Sequence, residues 1–236
     1  MQLNNILENW RGGLIVSCQA QANSPLAKME IISAFAQTAE QNGAVGVRID
    51  SPEHIRGVKT AVKIPVLGIY KMVHNASEVY ITPTFEAARK ISDAGADIIA
   101  LDATLRPRPH GEKLEDLVKQ IRDELKKPLT ADVATFAEGI NAAEVLGFDA
   151  VFTTLSGYTN ETKHTVEPDF DLVEKLAARV SLPVICEGRL SSTADVKRAF
   201  DCGAFAVVVG NAITGIEQLV QSFVSATPSN KKSFGI

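Results

Sequence analysis

The sequence predicts a (β/α)8 barrel, a ring of eight parallel strands each followed by a helix. Three observations predict it. First, the runs GAVGVRI (43–49), GADIIAL (95–101), GFDAVFT (147–153) and GAFAVVV (203–209) each carry a glycine, a short residue pair and an apolar stretch. Their glycines, Gly43, Gly95, Gly147 and Gly203, recur at intervals of 52, 52 and 56 residues, and each follows a helical pattern that a left-handed glycine can close. Second, PVLGIYK (65–71), PLTAD (128–132) and PVICEG (183–188) fall between those joints, each opening with proline, which a strand tolerates at its first position. Third, with GLIVSCQ (13–19) added in front, the eight strands are continuously apolar rather than alternating, as parallel strands buried on both faces are. A doubly wound open sheet is the alternative, because strand order is not legible in a sequence. It rarely carries eight evenly spaced units with a near-fourfold repeat.

In chain order, residues 2–11 read as a short helix capping the barrel bottom. Helical patterns then run over 26–42, 52–62, 84–94, 112–126, 134–146, 169–180, 191–202 and 211–225. Four of them end on the repeated glycines and three run up to the strand-opening prolines. The expected organisation is one barrel domain over 1–226. The segment TPSNKKSFGI (227–236) has the composition of a frayed tail.

Hydrophobic residues make up 45% and charged residues 22% of the 236, an ordinary globular balance that excludes a disordered chain. Lys and Arg total 24 against 28 Asp and Glu, with no basic run. That excludes a nucleic-acid or anionic-membrane surface. The apolar runs are far shorter than the ~20 residues of a membrane span, and the N-terminus lacks a basic and then apolar leader, so a cytoplasmic protein is expected. Cys18, Cys186 and Cys202 are odd in number and widely spaced, without a CxxC pair, and read as small hydrophobes in a reducing compartment. His54, His74, His110 and His164 have no metal-ligand spacing. No metal is expected.

Barrel chemistry sits at the C-terminal ends of the strands. There the sequence places Gln19, Arg48 and Asp50, Lys71, Asp102, Asp132, Thr153 and Thr154, Glu187, and Asn211. Lys71, Asp132 and Glu187 stand on alternate strands, which can point side chains into one shared layer. After strands 7 and 8, Gly188-Arg189 and Gly210-Asn211 join a strand to a helix start, where free N–H groups bind anions and glycine lets a phosphate approach the backbone. A phosphorylated ligand follows. Arg106 and Arg108 lie in a proline-rich turn where a solvated or subunit-contact role competes with substrate binding. Residues 154–168 form a polar loop long enough to act as a lid over the mouth, with His164 on it.

On GLIVSCQA, GVRI, PVLGIYK, ALDATLRPRP (100–109), TADVAT (130–135), TTLSGYT (153–159), CEGR (186–189) and GNAIT (210–214), the chain resembles the N-acylglucosamine-6-phosphate 2-epimerases, also called N-acetylmannosamine-6-phosphate epimerases, of sialic-acid catabolism. The LDATxRxRP string and the GYT loop are the most specific parts. The family usually continues after AIT with Arg-Pro, where this chain has Gly215-Ile216. The resemblance implies a barrel of the ribulose-phosphate-binding type, an amino-sugar phosphate as partner, no cofactor and no metal. It implies inversion at C2 between N-acetylmannosamine 6-phosphate and N-acetylglucosamine 6-phosphate.

The chemistry agrees, since the C2 hydrogen is acidic only when C1 is an open-chain aldehyde and its removal needs a base. Lys71 is the expected base, provided burial brings its pKa down from ~10.4. Glu187 is expected to relay protons or orient Lys71, and Asp132 to hold sugar hydroxyls or the amide. Gln19, Arg48 and Arg189 follow as substrate ligands, with Arg48 aimed at a carbonyl or enolate oxygen. Gly188, Gly210 and Asn211 take the phosphate. A strand-end lysine could instead form a Schiff base in a sugar-phosphate aldolase, and the anion site alone would serve a non-catalytic phosphosugar-binding barrel. The apolar last helix, IEQLVQSFV (216–224), points to a homodimer.

Overall fold

The computed structural model describes residues 3–228, with side chains described from Ile6 onward. Eight parallel strands close into a barrel in chain order: β1 (Leu14–Cys18), β2 (Gly46–Asp50), β3 (Val66–Ile69), β4 (Ile98–Asp102), β5 (Leu129–Asp132), β6 (Ala150–Phe152), β7 (Val184–Glu187) and β8 (Ala206–Val209). The ring closes where Leu14, Ile15 and Val16 pair with Val207, Val208 and Val209, which eliminates the open sheet.

The continuous apolar strands are explained by two cores. Successive residues of a strand face opposite sides. Ile15, Leu67, Ile98, Phe152 and Ile185 fill the barrel interior, while their neighbours Val16, Val66, Ile99, Val151 and Val184 pack outward against the helices. Helix α1 (Leu3–Glu8) leads into Trp10, which is fully buried, plugs the barrel bottom and meets Phe152 edge-on at 6.3 Å. Gly46 is required there, because a Cβ would stand 2.7 Å from the Trp10 indole nitrogen.

The outer layer is α2 (Met29–Gln41), α3 (Pro52–Ala61), α4 (Phe85–Asp93), α5 (Leu114–Gln120), α6 (Phe136–Glu144), α7 (Phe170–Arg179), α8 (Thr193–Asp201), α9 (Asn211–Thr214) and α10 (Ile216–Ser225). Two expected helices are interrupted. The one expected over 112–126 passes after Gln120 into a π turn, Ile121–Leu125, and ends on Lys126 in the left-handed conformation. The one expected over 211–225 breaks at Gly215, whose non-helical ψ of 59° separates a one-turn α9 from α10. The frayed tail expected over 227–236 lies, from 229 on, outside the described residues. Among the described residues, no helix is long and apolar enough to cross a membrane, no acidic, His and Cys group could hold a metal ion, and the three cysteines are free.

Candidate active site

At the C-terminal ends of the strands the barrel opens into a cavity of about 730 Å³. Its centre is built by three strands. Arg48 on β2 is 1% exposed, and it donates from Nη1 and Nη2 to the two oxygens of Asp132 on β5, at 3.0 and 2.6 Å. The same Nη1 donates to Glu187 Oε2 on β7, also at 3.0 Å. Thr154 Oγ1, just past β6, stands 2.8 Å from Asp132 Oδ1 and 2.8 Å from Glu187 Oε2. Two carboxylate oxygens therefore share one guanidinium nitrogen and one hydroxyl.

That crowding sets the proton affinities. Burial raises the pKa of Glu187, the neighbouring Asp132 charge adds to the rise, and Arg48 opposes it. Glu187 is consequently a carboxylate with enhanced proton affinity. Burial disfavours the Arg48 charge, but Asp132 and Glu187 outweigh it, and the guanidinium holds its proton more tightly than a free one.

Lys71 lies two residues beyond the end of β3 and reaches into the mouth, where Nζ donates to Gln19 Oε1 at 2.5 Å. Gln19 is steadied by its own Nε2, which donates to Ser17 Oγ at 2.6 Å. The Lys71 backbone N–H donates to Asp50 Oδ1 at 2.9 Å. Lys71 keeps contact with the water of the mouth, yet the dense barrel wall around it lowers its pKa; Asp50 opposes that shift and Arg48 reinforces it.

The opposite wall carries the glycine loops. Gly188 has φ of +120°, a conformation that a Cβ would strain, and Gly210 lies so close to Ser17 that an added Cβ would sit 3.3 Å from its Cβ. The loop after β8 is tied down by Thr214 Oγ1, which donates to the Ser17 carbonyl at 2.8 Å. Gly188, Gly210 and Asn211 all line the cavity. Arg189, at φ of +58°, lines it too, with Nε donating to the Glu167 carbonyl at 3.0 Å and its guanidinium 5.0 Å over the Tyr158 ring. It thereby fastens the β6–α7 loop, a series of turns over 153–169, to the end of β7.

These positions bear on the residues singled out in the sequence. Asp132, expected to hold sugar hydroxyls or the amide, is fully buried, has both oxygens on Arg48 and lies behind the cavity lining. Arg48, expected to meet a carbonyl or enolate oxygen, lines the cavity with Nη1 and Nη2 bonded to carboxylates. Arg108 is buried, donating to the carbonyls of Thr82, Pro83 and Asp102, and Arg106 bonds Asp102, so the proline-rich turn is an internal brace. His54 bonds the Asp50 and Ala27 carbonyls outside the cavity, and His164 does not line it.

Tyr80 was not foreseen. It comes from the long β3–α4 loop, brought inward because Lys71 and Ile81 form an isolated antiparallel bridge and Asp102 N–H donates to the Ile81 carbonyl. No strand-end pattern marks it. Asp50 and Thr154 stood among the strand-end residues, but nothing in the sequence distinguished them from inert solvated ends.

Residues 32–229 match the family described as "Putative N-acetylmannosamine-6-phosphate epimerase". A protein of Thermosynechococcus vestitus named "Putative N-acetylmannosamine-6-phosphate 2-epimerase" is 49% identical, covering 96% of this chain and 98% of its own. One of the same name from Clostridium perfringens is 43% identical over 92% of this chain and 98% of its own. The solved structure of the N-acetylmannosamine-6-phosphate 2-epimerase from Clostridium perfringens superposes with a TM-score of 0.91 at 41% identity, covering 96% of this chain and 98% of that one. With the match extending over most of the chain and the barrel shared throughout, this chain belongs to the N-acetylmannosamine-6-phosphate epimerase family.

Proposed function

We propose that this chain interconverts N-acetylmannosamine 6-phosphate and N-acetylglucosamine 6-phosphate by inverting C2 of the open-chain aldehyde. The observation that carries the reading is the Lys71 amine, set at the mouth above the buried Arg48–Asp132–Glu187 cluster and across from the glycine loops. The 6-phosphate takes the loops of Gly188, Gly210 and Asn211, where backbone N–H groups can face an anion.

The neutral amine of Lys71 takes the C2 proton; the C2–H bond breaks and its electron pair moves into an enolate spread over C2, C1 and the C1 oxygen. Positioned base catalysis of this kind contributes typically 10²–10⁴-fold. Glu187, with raised proton affinity, relays a proton so that C2 can be reprotonated on the other face, and no net proton is gained or lost. Asp132 and Thr154 fix the Glu187 and Arg48 side chains, and Gln19 holds the Lys71 amine. Arg189 meets substrate from the β7 end while anchoring the loop above it.

The same reading makes the enzyme a cytoplasmic homodimer. Support comes from three free cysteines and from the exposed Ile216, Leu219, Val220, Phe223 and Val224 on α10. Sedimentation at micromolar protein tests the dimer: a mass of two chains is expected, and one chain contradicts it.

Proton NMR in deuterium oxide with N-acetylmannosamine 6-phosphate tests the reaction. Solvent deuterium at C2 with appearance of the C2 epimer is expected. A shortened carbon chain would mean a Schiff-base aldolase, and line broadening without chemistry would mean a binding barrel.

A further inference from the structure

The mouth has an unassigned wall. Tyr80 stands between the ends of β3 and β4, on the side of the ring opposite the β7 and β8 glycine loops. A sugar phosphate anchored by its phosphate on those loops would extend its far end toward Tyr80. Beside the ring, Ile69 and Ile81 line the cavity and belong to the apolar cluster against which Tyr80 packs.

The other central donors each carry at least one bond within the protein. Arg48 bonds Asp132 and Glu187, Thr154 Oγ1 lies against the same two carboxylates, and Lys71 bonds Gln19. The Tyr80 hydroxyl, among the described residues, has no hydrogen-bond partner and is not sealed from the cavity. Burial and the nearby Asp132 and Asp102 charges raise its pKa, which keeps it a protonated donor at neutral pH. An uncommitted hydroxyl held beside Lys71 by the Lys71–Ile81 bridge matches a carbonyl oxygen in a substituent of the carbon from which Lys71 takes its proton.

We infer that Tyr80 is a specificity-determining residue that donates a hydrogen bond to the carbonyl oxygen of the substrate's C2 acylamino group. This rests on the function proposed above and deepens it. The acylamino group is bonded to the reacting carbon itself, so the contact both selects acylated sugars and orients C2 toward Lys71.

The test is titration calorimetry of wild type and Tyr80→Phe with two open-chain alditols, 2-acetamido-2-deoxymannitol 6-phosphate and mannitol 6-phosphate. Losing one neutral hydrogen bond should weaken the acetamido compound about tenfold and leave mannitol 6-phosphate within about twofold. Retained binding of mannitol 6-phosphate also shows that the variant is folded. Equal changes for both alditols, or no change for either, overturn the inference. A wild type that binds neither overturns the phosphosugar reading of the mouth itself, a failure distinct from an error about Tyr80.

Discussion

Asp132 and Glu187, to which the sequence assigned different roles, each present one oxygen to the same nitrogen of Arg48, 3.0 Å from both. Their surroundings separate them. Asp132 is fully buried with both oxygens on the guanidinium, whereas the Glu187 side chain is 12% exposed, lines the cavity and has its pKa raised by burial.

Glu187→Gln keeps the size and a hydrogen-bonding oxygen but removes the proton affinity. Its kcat should fall ~10²-fold or more with little change in KM, because a relay acts in the transition state. Steady-state kinetics decide; a KM effect with kcat intact would make Glu187 a sugar-binding group.

Asp132→Asn should damage the fold as well as the rate. Removing one partner of a buried pair leaves the Arg48 charge undercompensated, at a cost of about 3 kcal/mol or more. Urea unfolding would show that loss for Asp132→Asn and a much smaller one for Glu187→Gln. Equal losses would mean that both carboxylates serve chiefly to hold Arg48.

The sequence revealed this site unevenly. The strand ends were legible because glycine and proline mark the joints and a barrel delivers every strand end to one mouth, which brought Gln19, Arg48, Lys71, Asp132 and Glu187 into view. Which charges neutralise one another was not legible. Arg48 and Asp132 are 84 positions apart, and their contact exists only because β2 and β5, three strands apart, turn these residues into the interior of one closed ring. Tyr80 escaped because a loop rather than a strand end delivers it. The break at Gly215 reads in hindsight as a helix breaker, while the π turn after Gln120 has no comparable marker in the sequence.

Asp50 should tune the base. Its charge raises the Lys71 pKa against the lowering effect of burial, so Asp50→Asn should lower that pKa further. The base works as the neutral amine, and activity is lost as pH falls through its pKa. The acid limb of the kcat/KM profile should therefore move to lower pH in the variant. A limb that stays in place, or moves to higher pH, contradicts the assignment of that limb to Lys71.

Phosphate anchoring can be read at Gly188. Alanine at φ of +120° carries strain of about 1–3 kcal/mol, and relief of that strain would turn the loop's N–H groups away from the ligand. Gly188→Ala should raise KM for N-acetylmannosamine 6-phosphate about tenfold or more. The unphosphorylated sugar should lose most of kcat/KM with wild type and be indifferent to the substitution. Comparable kcat/KM for the two sugars with wild type would rule out an anion site at these loops.

The central claim is that Lys71 removes the C2 proton, and it is tested most directly by following C2 deuterium exchange in Lys71→Ala with N-acetylmannosamine 6-phosphate in deuterium oxide. Exchange and epimerisation should both vanish while phosphosugar binding stays within about tenfold of wild type, because the base contributes to the transition state more than to ground-state affinity. Exchange at a rate within tenfold of wild type would contradict the assignment.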